Sequence, residues 1–116
     1  MFRFEGLEVW RLGVDYARDC YGITANFPKY ENFSLADQLR RAAVSISSNI
    51  AEGSVGSKAN FIKYINIAIG STLETVNLIN FASEIGYTTP VVKEEMYERA
   101  EKLIRKLRSL SKSLNQ

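Results

Sequence analysis

Apolar side chains in this chain recur every three or four residues through four long stretches, and neither of its two prolines interrupts one. At about 100° per residue that spacing gathers them on one side of a helix; no stretch alternates with the period of two that a strand requires. The first stretch, with Leu7, Trp10, Val14, Ala17 and Tyr21, predicts a helix from Leu7 to about Ala25. Pro28 restricts its neighbour and lacks an N–H, so 26–32 reads as a loop. Ser34 opens the second stretch, with Asp37 three residues on as a weak capping box. Leu35, Leu39, Ala42, Ile46 and Ile50 form its apolar face, and Gly53 stands where a left-handed cap would end it.

Ser57 is placed to cap a third helix over Lys58–Ile85, with Gly86 as its stop. Phe61, Ile62, Ile65, Ala68, Ile69, Leu73, Val76 and Ile79 fill one broad face of it. Ile67, Leu78, Phe81 and Ile85 fall on another side, and two apolar faces on one helix predict burial on both. Thr89 and Pro90 supply a cap and a first-turn proline for the fourth helix. Its seam is Met96, Ala100, Leu103, Leu107, Leu110 and Leu114. Four amphipathic helices with short links, in one domain over 1–116, predict an all-α, antiparallel up-down four-helix bundle.

Composition removes several kinds of chemistry. The chain has no histidine and a single cysteine, Cys20, so His-assisted nucleophiles, His-ligated metals and an internal disulfide are excluded. No stretch approaches the roughly 20 apolar residues of a membrane span, and Met1–Gly6 has no secretion-signal pattern. A cytoplasmic, non-enzymatic binding or assembly protein without cofactor or metal is therefore expected. Carboxylates alone, Glu52 and Glu74, would have to carry any catalysis; partnership with arginine is the more ordinary role. Cys20 has no basic neighbour and reads as a packing residue.

The net charge of +2 hides a segregation: 64–101 carry −4 and the last fifteen residues +5. Lys102, Arg105, Lys106, Arg108 and Lys112 fall on the side of the fourth helix away from its leucine seam. Such a stripe suits phosphate, and its bland alternative is a solvated face placed to suit the helix dipole. Arg40 and Arg41 are a second phosphate candidate, or else partners of Asp37 or Glu74. Asn49 is read as bonding backbone near the turn, and Gly70 as a point where a neighbouring helix approaches closely. The second side of the third helix (Ile67, Leu78, Phe81 and Ile85) is the candidate contact between copies, with Phe2 and Phe4 packing across the same junction.

Several phrases then carry a resemblance. Phe4-Glu5-Gly6-Leu7-Glu8-Val9-Trp10 precedes Phe27-Pro28-Lys29-Tyr30-Glu31. Leu35-Ala36-Asp37-Gln38-Leu39-Arg40-Arg41-Ala42-Ala43 leads to Asn49-Ile50-Ala51-Glu52-Gly53. Phe61, Ile67-Ala68-Ile69-Gly70-Ser71-Thr72-Leu73-Glu74 and Gly86-Tyr87 follow. In this order they resemble the bacterial four-helix-bundle family first noticed as reading frames within 23S ribosomal RNA intervening sequences. The family is related to the accessory variability determinant protein of diversity-generating retroelements. The resemblance covers 2–87. It implies a small bundle that assembles with itself as a ring, a pentamer, and a relative of it partners a reverse transcriptase and binds nucleic acid. RNA, DNA or a nucleic-acid-processing protein are thus the partners to expect, against the alternative of a protein–protein module that binds no nucleic acid. Many relatives carry an arginine in the turn where this chain has Val55-Gly56, and a basic residue where it has Ile69. Both departures remove charge.

Overall fold

In a computed structural model describing residues 1–116, the chain is four α-helices and no strand. They are α1 (Glu8–Thr24), α2 (Leu35–Gly53), α3 (Lys58–Glu84) and α4 (Pro90–Leu114), with short 3-10 turns at Arg3–Gly6 and Lys29–Glu31. The rod measures 45 × 23 × 21 Å. Its length is set by α3, whose 27 residues span about 40 Å at the helical rise. α3 packs most extensively on α2, and of the four substantial helix–helix interfaces α1 and α4 share the slimmest. No helix is long and apolar enough to cross a membrane.

Two helix starts form as their cap residues dictate. The Asn60 N–H donates to Ser57 Oγ (3.1 Å) and the Val92 N–H to Thr89 Oγ1 (3.2 Å), each satisfying a donor that the first turn leaves free. Ser34 differs: its hydroxyl donates to Glu31, and no capping box with Asp37 forms. The apolar face expected of α2 is buried throughout, as are Met96, Ala100, Leu103 and Leu107 of α4. Leu110 and Leu114 pack on the edge of the same core.

The core face of α1 is not the periodic seam. Val9, Gly13, Tyr16, Ala17, Cys20 and Ile23 are buried, about 120° round the helix from the line through Leu7, Trp10, Val14 and Tyr21. Small residues explain the rotation, because they let α2 come close: a Cβ on Gly13 would stand 3.2 Å from Ile46 Cγ2. A buried polar chain does the rest. Tyr16 donates to Thr75 Oγ1 (2.7 Å), Thr75 to the Thr72 carbonyl (2.6 Å) and Thr72 to the Ala68 carbonyl (2.8 Å). Every hydroxyl there has a partner, so burying the three costs little. With Thr72 and Thr75 turned inward, Leu73 is 53 % exposed, not on the core face expected of it.

Two glycines depart from the roles expected of them. Gly53 is helical, and a Cβ there would stand 2.7 Å from Tyr64 Cβ and 3.0 Å from Phe61 Cδ1, so α3 approaches α2 there too closely for a side chain. Gly70 has nothing within 4 Å of its absent Cβ. The left-handed conformation belongs to Gly86 alone, at φ 84°, which ends α3 as expected. Asn49 donates to the Ser45 carbonyl (2.7 Å) and hydroxyl (2.9 Å) one turn back inside α2, not to backbone at the turn. The Ser45 hydroxyl in turn meets that of Ser71 across the α2–α3 contact (2.9 Å).

Each end of the rod is tied by polar contacts. At one, Arg3 donates to the Ser54 carbonyl (3.2 Å) and lies over the Phe61 ring (5.4 Å), placing a cation at the negative end of α2. At the other, Tyr30 and Tyr87 share a hydrogen bond (3.1 Å) and Tyr87 donates to Glu31 (2.8 Å). The clasp joins the α1–α2 link to the α3–α4 link. The hydroxyls of Ser34 and then Tyr87 hold the Glu31 carboxyl below the usual range. A depressed carboxyl adds stability above its unfolded pKa and loses it as pH falls through the folded value. Thermal melts from pH 7 to pH 3 are therefore expected to show a smaller loss of Tm in Glu31→Gln than in the parent; parallel curves would count against the clasp.

Candidate functional site

The second half of α4 carries the largest group of unpaired cations. Lys102, Arg105, Arg108 and Lys112 are exposed and make no ion pair or hydrogen bond through their side chains, while Leu103 and Leu107 beneath them are buried. Lys106 donates to Glu8 of α1 (2.9 Å). Glutamates 94, 95, 98 and 101 occupy the first half of the helix. Acid early and base late is the order that the helix dipole favours. Four free cations on about three turns also raise the local potential above that of a mixed surface.

Arg40 and Arg41 are held by their own chain. Arg40 donates to the carbonyl (2.8 Å) and side-chain oxygen (3.2 Å) of Asn32, and Arg41 pairs with Asp37 (2.8 Å). The latter is an exposed i,i+4 pair, worth only a few tenths of a kcal/mol (about 0.3–0.5). Glu74 pairs with neither. Tyr21, Val44, Ser45 and Ser48 border the same shallow surface. The two cationic groups do not converge. Arg40 is bound at the α1–α2 link and Lys106 at the first turn of α1, on helices α2 and α4 that make no substantial contact.

Ile67, Phe81 and Ile85 lie exposed along α3. Leu78 is half-buried and packs against the core, so it is not part of that outer line. Phe2 stacks on Phe4 (6.0 Å between ring centres), and Phe4 meets Trp10 edge-on (5.1 Å). Within one chain these aromatics therefore line the start of α1, away from the exposed end of α3.

Burial pushes the Cys20 thiol up to about 12, against the opposing pull of Arg99, and the side chain is wholly enclosed. A thiol so held is a packing group and not a nucleophile. Desolvation likewise raises the Tyr16 phenol, under the Arg99 guanidinium (5.6 Å) that pairs with Asp19. No three Cys, Asp or Glu side chains converge as metal ligands would. Sequence reasoning missed Arg3 as the cap of α2, since nothing in a linear reading brings residue 3 to residue 54. It also missed that Tyr21 borders Arg41, because Tyr21 had been assigned to the core.

Comparison with curated proteins finds no match. Among solved structures the chain is similar to a protein of unknown function from the S23 ribosomal protein family of Bacteroides thetaiotaomicron. The two share 25 % identity with a TM-score of 0.79, over 90 % of this chain and 98 % of that one. The helices, their capped starts and the phrases running from Phe4 to Tyr87 agree with a match to one family model over residues 5–109, and the chain belongs to that family, the 23S rRNA-intervening sequence proteins.

Proposed function

We propose that this protein is a non-enzymatic, self-assembling scaffold of the cytoplasm, an antiparallel up-down four-helix bundle that forms a ring of five. Its basic surface residues engage RNA or DNA, or a protein that processes nucleic acid. The observation that carries the binding is the free state of Lys102, Arg105, Arg108 and Lys112 in a chain whose ion pairs use five other cations. Assembly is supported by the exposed apolar line on α3, which is larger than single scattered residues would make. A ring multiplies each cation by its copy number, and phosphate binding then releases counterions and depends steeply on salt.

A second reading is a protein–protein module without affinity for nucleic acid. It is favoured by Arg40 and Arg41, which are already occupied by Asn32 and Asp37. Salt titrations against RNA and DNA separate the two. Binding is expected to weaken linearly in log–log form, and Arg105→Ala/Lys106→Ala/Arg108→Ala to flatten the slope by about 2 per contacting copy, at roughly 0.7–0.9 per lost phosphate contact. Lys106 adds least because Glu8 already holds it. Absence of binding at low salt would leave the protein module.

A further inference from the structure

Where α1 and α4 share their slim interface, a groove of about 540 Å³ opens between them. Ile23, Val92 and Met96 form its floor; Ile23 and Met96 are buried and Val92 is half-buried. Its walls are charged, with Asp19 from α1 and Glu95, Glu98 and Arg99 from α4. Arg99 is already engaged three ways, by the Asp19 carboxylate, the Met96 sulfur (3.7 Å) and the face of the Tyr16 ring (5.6 Å). Glu95 and Glu98 take part in no ion pair. Three carboxylates against one guanidinium leave the groove at −2.

Contacts within the chain do not account for these acids. No acid stands in the first turn of α4, where the helix dipole acts most strongly. Glu95 and Glu98 are three residues apart and so are neighbours on the helix surface, where like charges repel. Glu94 and Glu101 lie about 40–60° further round α4 and do not line the groove. The charge of the walls repels phosphate and attracts cations. An apolar floor between unpaired carboxylates is the complement of a segment that carries cations on either side of an apolar side chain. Met96, unbranched and polarizable, lets the floor adapt to side chains of different shape.

We propose that the α1–α4 groove docks a basic helical segment of a partner protein, whose lysines or arginines meet Glu95 and Glu98 while an apolar side chain between them enters the floor of Ile23, Val92 and Met96. Charge complementarity selects this occupant over an acidic or a purely apolar one. From Val92 to Glu98 the groove runs about 9 Å at the helical rise, so it takes up to two turns of a partner helix. Two cations one turn apart on that helix match the spacing of Glu95 and Glu98. The Asp19–Arg99 pair is open to solvent and therefore weak, so an incoming cation exchanges with Arg99 for Asp19 at little cost. Past Arg99 the wall changes sign at Lys102, which bounds the acidic stretch. α4 thus offers its first half to a basic protein and its second half to phosphate. The docking depends neither on the phosphate binding nor on the assembly proposed above.

The test titrates the full chain into a fluorescein-labelled peptide of three Lys-Leu-Leu-Lys repeats at about 50 mM salt, where screening is weak, and reads anisotropy. The parent is expected to bind this peptide and not its counterpart with glutamate for every lysine. Glu95→Gln/Glu98→Gln is expected to weaken binding by about tenfold, the combined worth of two exposed ion pairs, with circular dichroism unchanged. Glu94→Gln/Glu101→Gln makes the same change of net charge outside the groove and is expected to weaken it by about twofold or less. Equal losses in the two variants, equal binding of the acidic peptide, or a parent that does not bind overturns the docking. Displacement of the peptide by an equal concentration of spermidine also overturns it and gives the groove to small amines. Light scattering tests the remaining occupant: parent assembly that is lost in Glu95→Gln/Glu98→Gln would assign the groove to a second copy instead.

Discussion

Phe61→Ala is expected to cost about 3–5 kcal/mol of folding free energy, the range for deleting a buried ring, read as a lower urea midpoint at similar slope. Phe61 is 1 % exposed and seats its ring against Gly53, where α3 comes too close to α2 for a side chain at that position. Arg3 lies on its other face and bonds the end of α2. One substitution therefore opens a cavity, removes the packing of Arg3 and leaves the α2–α3 crossing unfilled. Collapse of the gap is limited because Ile50 and Ile65 close by are already fully buried. For a chain of this size, with a total stability of about 5–15 kcal/mol, the loss is a large fraction. A cost below about 1 kcal/mol would mean that the α2–α3 end is not packed as described.

Thr75→Val is the second large effect, expected at about 1–3 kcal/mol, because it strands the Tyr16 hydroxyl in a site that water does not reach. Tyr16 and Thr75 are 1 % and 0 % exposed, and their hydrogen bond is 2.7 Å long. Adding Tyr16→Phe removes the stranded group. The double variant is accordingly expected to recover most of the loss, since replacing both partners by apolar groups of like shape is nearly neutral. A double-mutant cycle checks this: additive costs would show that the two hydroxyls do not act on each other.

The function is less legible than the fold for a physical reason. Arg40, Arg41, Lys102, Arg105, Lys106, Arg108 and Lys112 were all visible as charge. Which of them is free depends on the geometry of their neighbours, one of them distant in the chain. Glu8 takes Lys106 across 98 residues, while Asn32 and Asp37 take the two arginines locally. The outer line of α3 was legible from Ile67, Phe81 and Ile85, whereas Leu78 had to be placed in space before it proved to belong to the core.

What sequence alone determined is the set of four helices and, nearly to the residue, their ends: periodicity, Ser57, Thr89, Pro90 and Gly86 act within a few residues of where they stand. Tertiary structure decided which side of each helix faces inward. In α1 the larger side chains, Trp10 and Tyr21, mark a stripe that meets the core only at its edge, through Trp10, because Gly13 and Cys20 allow the closer approach and Tyr16 finds its hydroxyl partner on α3. Hydrophobic periodicity is a property of one helix, but burial is a property of two surfaces that must fit. Gly53 and Gly70 have no side chain to show which of them is covered, so only the neighbouring helix could tell them apart.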